Sequence, residues 1–328
     1  MKDKTAYANG QEITGTLELD YNAKYEVPSD TIHQAENLSS IDFSNVTPGK
    51  KMRRISFAYL DGLKNVIGLE NFDTSEMTSF SLMFKNCQKL AYVNTSNFNT
   101  AKVTSMDNMF SGCNLLTSLD VSGFNTEQVK RMDDMFSYCS SLTTLDVSGF
   151  NTAGVTNMDS MFKTCTKLTT LDVSNFNTEQ VQSMRGMFNG CEALTTLNVT
   201  NFNTSNSIRF DNMFSACRAL TDLNVLNFDT SNATNISDMF SSCPKLINLD
   251  VGNFNIGKVT VISGMFTNTR ALSDDSLNSI LKMCSTATAL PSANKTLAYI
   301  GLTSAQATKC TTLSNWSLAE EAGWTTGY

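Results

Sequence analysis

The chain has 328 residues, 41% of them hydrophobic and 17% charged, and a net charge of -7. That balance describes a globular chain rather than a disordered one, and no apolar run approaches the roughly 20 residues that a membrane-spanning helix needs. The net acidic charge gives no overall electrostatic footprint for a phosphate backbone, so nucleic acid is not an expected partner.

The amino terminus reads MKDKTAYANG and lacks the basic, apolar and small-residue regions of a secretory signal. The expectation is therefore either a leader already removed or another route out of the cell. Residues 1–31 carry no clear periodicity and are read as an N-terminal extension. Residues 32–70 hold a decayed unit (Leu38, Ile41 and Phe43, then Ile55, Phe57, Leu63, Val66 and Ile67), read as a degenerate repeat and N-terminal cap.

Residues 71–272 repeat without interruption. Phe72, Phe98, Phe124, Phe150, Phe176, Phe202, Phe228 and Phe254 stand 26 residues apart, and a Met-Phe pair keeps the same period from Met83-Phe84 to Met265-Phe266. Cys follows it from Cys87 to Cys243. In the unit 119–144, Leu119 and Val121 flank Asp120 with the period-2 signature of a short strand. Val129, Met132, Met135, Phe136, Cys139 and Leu142 then fall three or four apart, which predicts a helix with one buried stripe. Asn125 stands where that helix would begin, and Asn or Asp fills the slot in the other units, as an N-cap would. The predicted fold is an α/β solenoid: a leucine-rich-repeat-like, right-handed stack of strand-turn-helix coils with a parallel sheet. One unit cannot bury enough apolar surface to offset the ordering of its own backbone, so stacking is obligatory.

The period ends after Leu272, and residues 273–328 are read as a helical C-terminal cap. Ser273-Asp274-Asp275 predicts a helix start with its acidic pair at the positive end, and a second helix is predicted from about Thr303.

Candidate chemistry is sparse. His33 is the only histidine, so a His base or a His-rich metal site lacks its parts, and no Gly-rich phosphate loop occurs. The chain is expected not to be an enzyme. The cysteine ladder has no C-x-x-C spacing for zinc, and parallel side chains in adjacent coils are poorly placed for disulfides, so buried free thiols are expected. Met-x-x-Met pairs such as Met132/Met135 look superficially like a copper series, yet Phe210, Ile236 and Ile262 take the first slot elsewhere, which only core packing tolerates. The outward strand positions form a polar, acidic face, and Asp120, Ser122, Asp146, Ser148, Asp172, Ser174, Asn198, Asn224 and Asp250 are the candidate binding residues. The same Asp and Ser recur in the consensus, which suits local turn hydrogen bonds equally well. No cofactor is expected. Calcium on the Asp column is a minor alternative, weakened by the interruptions at Asn198 and Asn224. Residues that vary between units, such as Glu127-Gln128-Lys130-Arg131-Asp133, lie on the other side of the coil.

Residues 168–194, LTTLDVSNFNTEQVQSMRGMFNGCEAL, resemble the BspA-like leucine-rich repeat family, a 26-residue bacterial surface-protein repeat, and the resemblance spans 64–272. It implies an extracellular or cell-surface recognition or adhesion protein with a protein or glycan partner, and implies no single ligand. The stretch from Lys4 to Leu17 is similar to a segment of bacteriophage tail structural proteins, which implies the alternative of a receptor-binding protein on a virion. A structural spacer is the third reading, and no oligomeric state follows from any of them.

Overall fold

The computed structural model describes residues 39–52 and 55–328, together with the backbone of two short strands, β1 (Tyr7–Ala8) and β2 (Gln11–Glu12). His33, Leu38 and most of the Lys4–Leu17 segment lie outside the described residues. The solenoid is present, and its coils stack in register. An unbroken column of parallel bridges joins Ser79, Ser105, Arg131, Asn157, Ser183, Arg209, Asn235 and Val261, one residue per coil.

The strand-turn-helix coil is corrected in its second half, because no helix forms there. Residues 133–138 are a run of turns. Met135 N donates to Met132 O, Ser137 N to Asp134 O and Cys139 N to Phe136 O, each three residues back, while the alternate amides point along the stack. Met132 N, Asp134 N, Phe136 N and Tyr138 N donate to Asn157, Asp159, Met161 and Lys163 of the next coil. A helix would keep every interior N–H inside its own segment. The turn chain instead shares them, so half of its amides hold adjacent coils together.

This geometry needs two left-handed residues per coil. One column runs Leu82, Asn108, Asp134, Ser160, Gly186, Asn212, Asp238 and Gly264, and the other Asn86, Gly112, Tyr138, Thr164, Gly190, Ala216, Ser242 and Asn268, all at positive φ. Glycine adopts this conformation without strain, and a Cβ at Gly112 would displace the Asn86 carboxamide oxygen. Apolar residues three or four apart still face inward, because a chain of turns also brings them to one side. Met132, Met135, Phe136, Cys139 and Leu142 are all fully buried.

The strand side is also more sparing than predicted. Regular parallel pairing is confined to β3 (Ser40–Asp42) with β5 (Asn65–Ile67), β4 (Lys50–Lys51) with β6 (Phe72–Asp73), and β7 (Asp222–Leu223) with β8 (Asn248–Leu249). Between them, residues such as 119–121 belong to no ladder. The first described coil begins at β3, and β1 pairs with it antiparallel and with β2 on its other side, giving the sheet order β2-β1-β3-β5.

Side chains supply the bonds that the backbone omits. Thr152 Oγ1 donates to Asn177 O at 2.9 Å and accepts from Asn177 N at 2.8 Å. Thr74, Thr100 and Thr126 do the same one coil apart. Asn175, Asn201 and Asn227 donate their Nδ2 to backbone carbonyls of the preceding coil. Each ladder cysteine donates its S–H to the carbonyl of a Phe in the preceding coil, as Cys139 does to Phe110 O at 3.2 Å. Where the ladder ends, Thr269 Oγ1 donates to Phe240 O in the same way. Inside, Phe84, Phe110, Phe136, Phe162, Phe188, Phe214, Phe240 and Phe266 form one continuous stack with centroids 5.5–6.0 Å apart.

After the last repeat the chain forms three α-helices, α1 (Asp274–Cys284), α2 (Ser304–Cys310) and α3 (Trp316–Glu321). Ser273 caps α1, and Thr303 with Gln306 forms a capping box on α2. Before α2 the chain continues the turn ladder for one last rung, with Gly264 N and Phe266 N donating to Tyr299 O and Ile300 O. Trp324, 1% exposed, ties the cap together by donating Nε1 to Cys284 O.

Candidate functional site

The extended segments project alternate residues outward, and the turn after each one fixes their orientation. Asp120 Oδ1 accepts from Ser122 N at 2.9 Å and from Ser122 Oγ at 2.6 Å, and Asp146 and Asp172 accept from Ser148 N and Ser174 N. Asn198, Asn224 and Asp250 make the same bond to Thr200, Leu226 and Gly252. The residues named from the sequence thus close an Asx-turn in every coil. The hydroxyls of Ser122, Ser148 and Ser174, with their backbone N–H groups, hold the Asp120, Asp146 and Asp172 carboxyls below the usual carboxylate range. These three are therefore ionised throughout the neutral range. Only Oδ1 is engaged in the turn, so each carboxylate keeps Oδ2 for solvent or a partner.

Asn125 makes the same kind of bond, accepting from Glu127 N at 3.0 Å. It is an Asx-turn residue and not a helix cap, since no helix follows.

The outward residues meet in an open trough of about 640 Å³ that crosses four coils. Asp120, Asp146, Asp172 and Asn198 line it with Thr144, Thr170 and Thr196, and Leu119, Leu145 and Leu171 form its floor. Asn224 and Asp250 lie instead in a smaller hollow of about 280 Å³ beside the start of α1, with Asp222, Ser273, Asp275 and Ser276. Four of the nine candidates thus line the trough, Asn224 and Asp250 line the hollow, and Ser122, Ser148 and Ser174 close the turns.

The other candidate chemistries resolve as structure. All nine cysteines are buried and free. Burial pushes the Cys113, Cys165 and Cys243 thiols up to about 12, far from the range of a reactive thiolate. Among the described residues no three His, Cys, Asp or Glu side chains converge as a metal site would require. The variable side holds paired charges: Arg131 grips Asp133 through Nε and a terminal nitrogen, and Arg209 grips Asp211 in the same manner. Sequence reasoning missed these pairs. Their signal was an Arg-x-Asp spacing in two coils of the same frame.

Fold and face together define a solenoid repeat protein whose outward surface is built by repeated turns. The chain belongs to the family described as Mycoplasma protein of unknown function, DUF285, whose model matches residues 55–171 and again 156–280. No curated protein matches it. Among solved structures it is similar to a leucine-rich repeat protein of T. pallidum, at 15% identity over 75% of this chain and 89% of that one, with a TM-score of 0.30. It is also similar to the functional domain of InlJ from Listeria monocytogenes, which includes a cysteine ladder. There the identity is 17% over 74% of this chain and 60% of that one, with a TM-score of 0.23. No helix among the described residues is long and apolar enough to cross a membrane.

Proposed function

We propose that this chain is a non-enzymatic recognition protein that works at or outside a cell surface and holds a basic protein partner in the trough between Asp120 and Asn198. One observation carries this reading: three carboxylates in consecutive coils are each fixed by their own turn and each keep one oxygen outward, on a floor of leucines. Fixed carboxylates lose little freedom on binding, and a ladder of them complements Lys or Arg side chains along an extended partner. The 26-residue BspA-like frame supports the surface setting.

The test is binding of the labelled full chain to immobilised matrix proteins, mucin and intact bacteria, with and without calcium. The expected result is saturable, salt-sensitive binding to a basic protein that Asp146→Asn with Asp172→Asn abolishes while leaving the fold intact. Binding that the double substitution leaves unchanged refutes the trough as the site. Dependence on calcium would replace the direct charge contact with a metal-bridged one.

A further inference from the structure

We propose that the cysteine-turn edge of the first repeats is a second binding surface, and that it takes a linear anionic polysaccharide. Four consecutive coils present there Lys85 to Lys89, Ser111 to Leu115, Ser137 to Ser141 and Lys163 to Lys167, joined by Asn86 N to Ser111 O, Gly112 N to Ser137 O and Tyr138 N to Lys163 O. These segments contain four lysines and no carboxylate, on a chain whose net charge is -7. None of the four lysines enters an ion pair with a described residue, although Lys85 and Lys163 act electrostatically on the nearby Asp134 carboxyl. The lysines are scattered in sequence, and the 26-residue frame brings them to one edge.

Tyr138 stands in the middle of this edge, outside the buried core. Its backbone is left-handed, with φ 60, and its side chain is 45% exposed. The same column elsewhere holds Asn, Gly, Thr, Ala and Ser, so a tyrosine there carries strain that the fold does not require. Lys163 Nζ lies over the Tyr138 ring, 5.5 Å from its centroid, so the cation covers one aromatic face and a sugar would have to stack on the other. Leu115, 50% exposed, adds apolar surface one coil away.

A flat exposed ring flanked by cations suits a pyranose whose apolar face stacks on the ring while its carboxylate meets an ammonium group. At about 4.8 Å per coil, Lys85 and Lys163 stand roughly 15 Å apart, so the positive charge is sparse. A polymer with a carboxylate on alternate sugar rings matches that density, whereas duplex nucleic acid carries one charge per about 1.7 Å and needs a denser basic track. This surface does not share residues with the trough, and it stands or falls independently of the reading given for that face.

The test is calorimetric titration of the full chain with hyaluronan oligosaccharides, using dextran, poly-glutamate and a single-stranded oligonucleotide as comparators. Hyaluronan is expected to bind, and dextran is not. Lys163→Gln with Lys167→Gln is expected to weaken binding about tenfold, and Asp146→Asn in the trough to leave it unchanged. Tyr138→Asn is the sharper variant. Asn accepts the left-handed backbone, so the melting temperature should rise while affinity for hyaluronan falls several-fold. Absent hyaluronan binding, an affinity that the lysine pair does not alter, or equal binding of poly-glutamate or the oligonucleotide overturns the proposal. A higher melting temperature with unchanged affinity in Tyr138→Asn overturns the stacking role of the ring.

Discussion

Replacing Thr152 by Val isolates the side-chain bonds that hold the coils together. Val has the same shape, so packing is conserved, and Thr152 is 1% exposed. The change removes a hydroxyl that both donates to Asn177 O at 2.9 Å and accepts from Asn177 N at 2.8 Å. Two backbone groups of the next coil are then left without a partner, at about 1–3 kcal/mol each, so a loss of roughly 2–5 kcal/mol is expected. The control is Thr170→Val on the exposed wall of the trough, which should stay within about 0.5 kcal/mol. Both are measured by urea unfolding followed by circular dichroism and by the fluorescence of Trp316 and Trp324 in the cap. Because long arrays can unfold in parts, the two probes must be compared before a single free energy is quoted. A Thr152→Val protein within about 0.5 kcal/mol of the parent would show that water or a backbone shift satisfies Asn177, and the threonine ladder would lose its assigned role.

Three further outcomes follow from the same geometry. Thr164→Gly, at φ 59 in a β-branched residue, is expected to raise stability by about 1 kcal/mol, while Gly112→Ala lowers it because its Cβ overlaps Asn86; thermal unfolding checks both. The native protein should resist iodoacetamide at mildly alkaline pH and react at its cysteines only once unfolded, as mass spectrometry would show, because burial raises the thiols and encloses them. Burial holds the Asp134, Asp159 and Asp238 carboxyls above their usual value, so these groups oppose folding while ionised and stop doing so as pH falls through their folded values. Their contribution to the melting temperature should therefore appear only as pH falls from their raised folded values toward the unfolded value near about 3.9, and stability should be lost below that, as lowered carboxyls such as Asp107 are protonated. Asp238→Asn, a residue already used at Asn108 and Asn212 of the same column, should flatten that slope; an unchanged slope would remove Asp238 from the account.

The repeat frame and the inward positions were legible because period and apolarity report burial directly. Every Phe, Met and Cys slot of the unit 119–144 is buried where the spacing placed it. The helix was not legible from that spacing, since apolar residues three or four apart line one side of a helix and of a turn chain alike. The discriminating signal stood at the polar slots between them. Asn108, Asp134, Gly186, Asn212, Asp238 and Gly264 are residues that tolerate a left-handed backbone, repeated at one position, and a helix interior would not select them. Tyr138 and Thr164 obscured the second such column, which is why it needs the structure to be seen. The candidate face was legible as alternation, but its division into a trough and a separate hollow depends on where α1 docks, and no local pattern reports that.

The two roles weighed for the Asp column, turn bonding and ligand contact, do not compete. A turn needs one acceptor oxygen, and a carboxylate has two. Where the coil supplies Asn instead, as at Asn198 and Asn224, the turn bond survives and the outward negative charge does not. If the turn were the only demand, Asn and Asp would serve equally in every coil, so the charge is the part of the column that the fold leaves free to vary. Asp120, Asp146 and Asp172 fall in consecutive coils and the trough follows them, ending on Asn198. Under the proposed reading, the charged part of the trough spans two coil spacings, roughly 10 Å, or about three residues of an extended basic segment. Asp172→Asn alone should shorten that reach by one coil and weaken binding, whereas Asn198→Asp should extend it and strengthen binding to a longer basic segment. Equal affinities for the two variants would place the partner elsewhere on the solenoid.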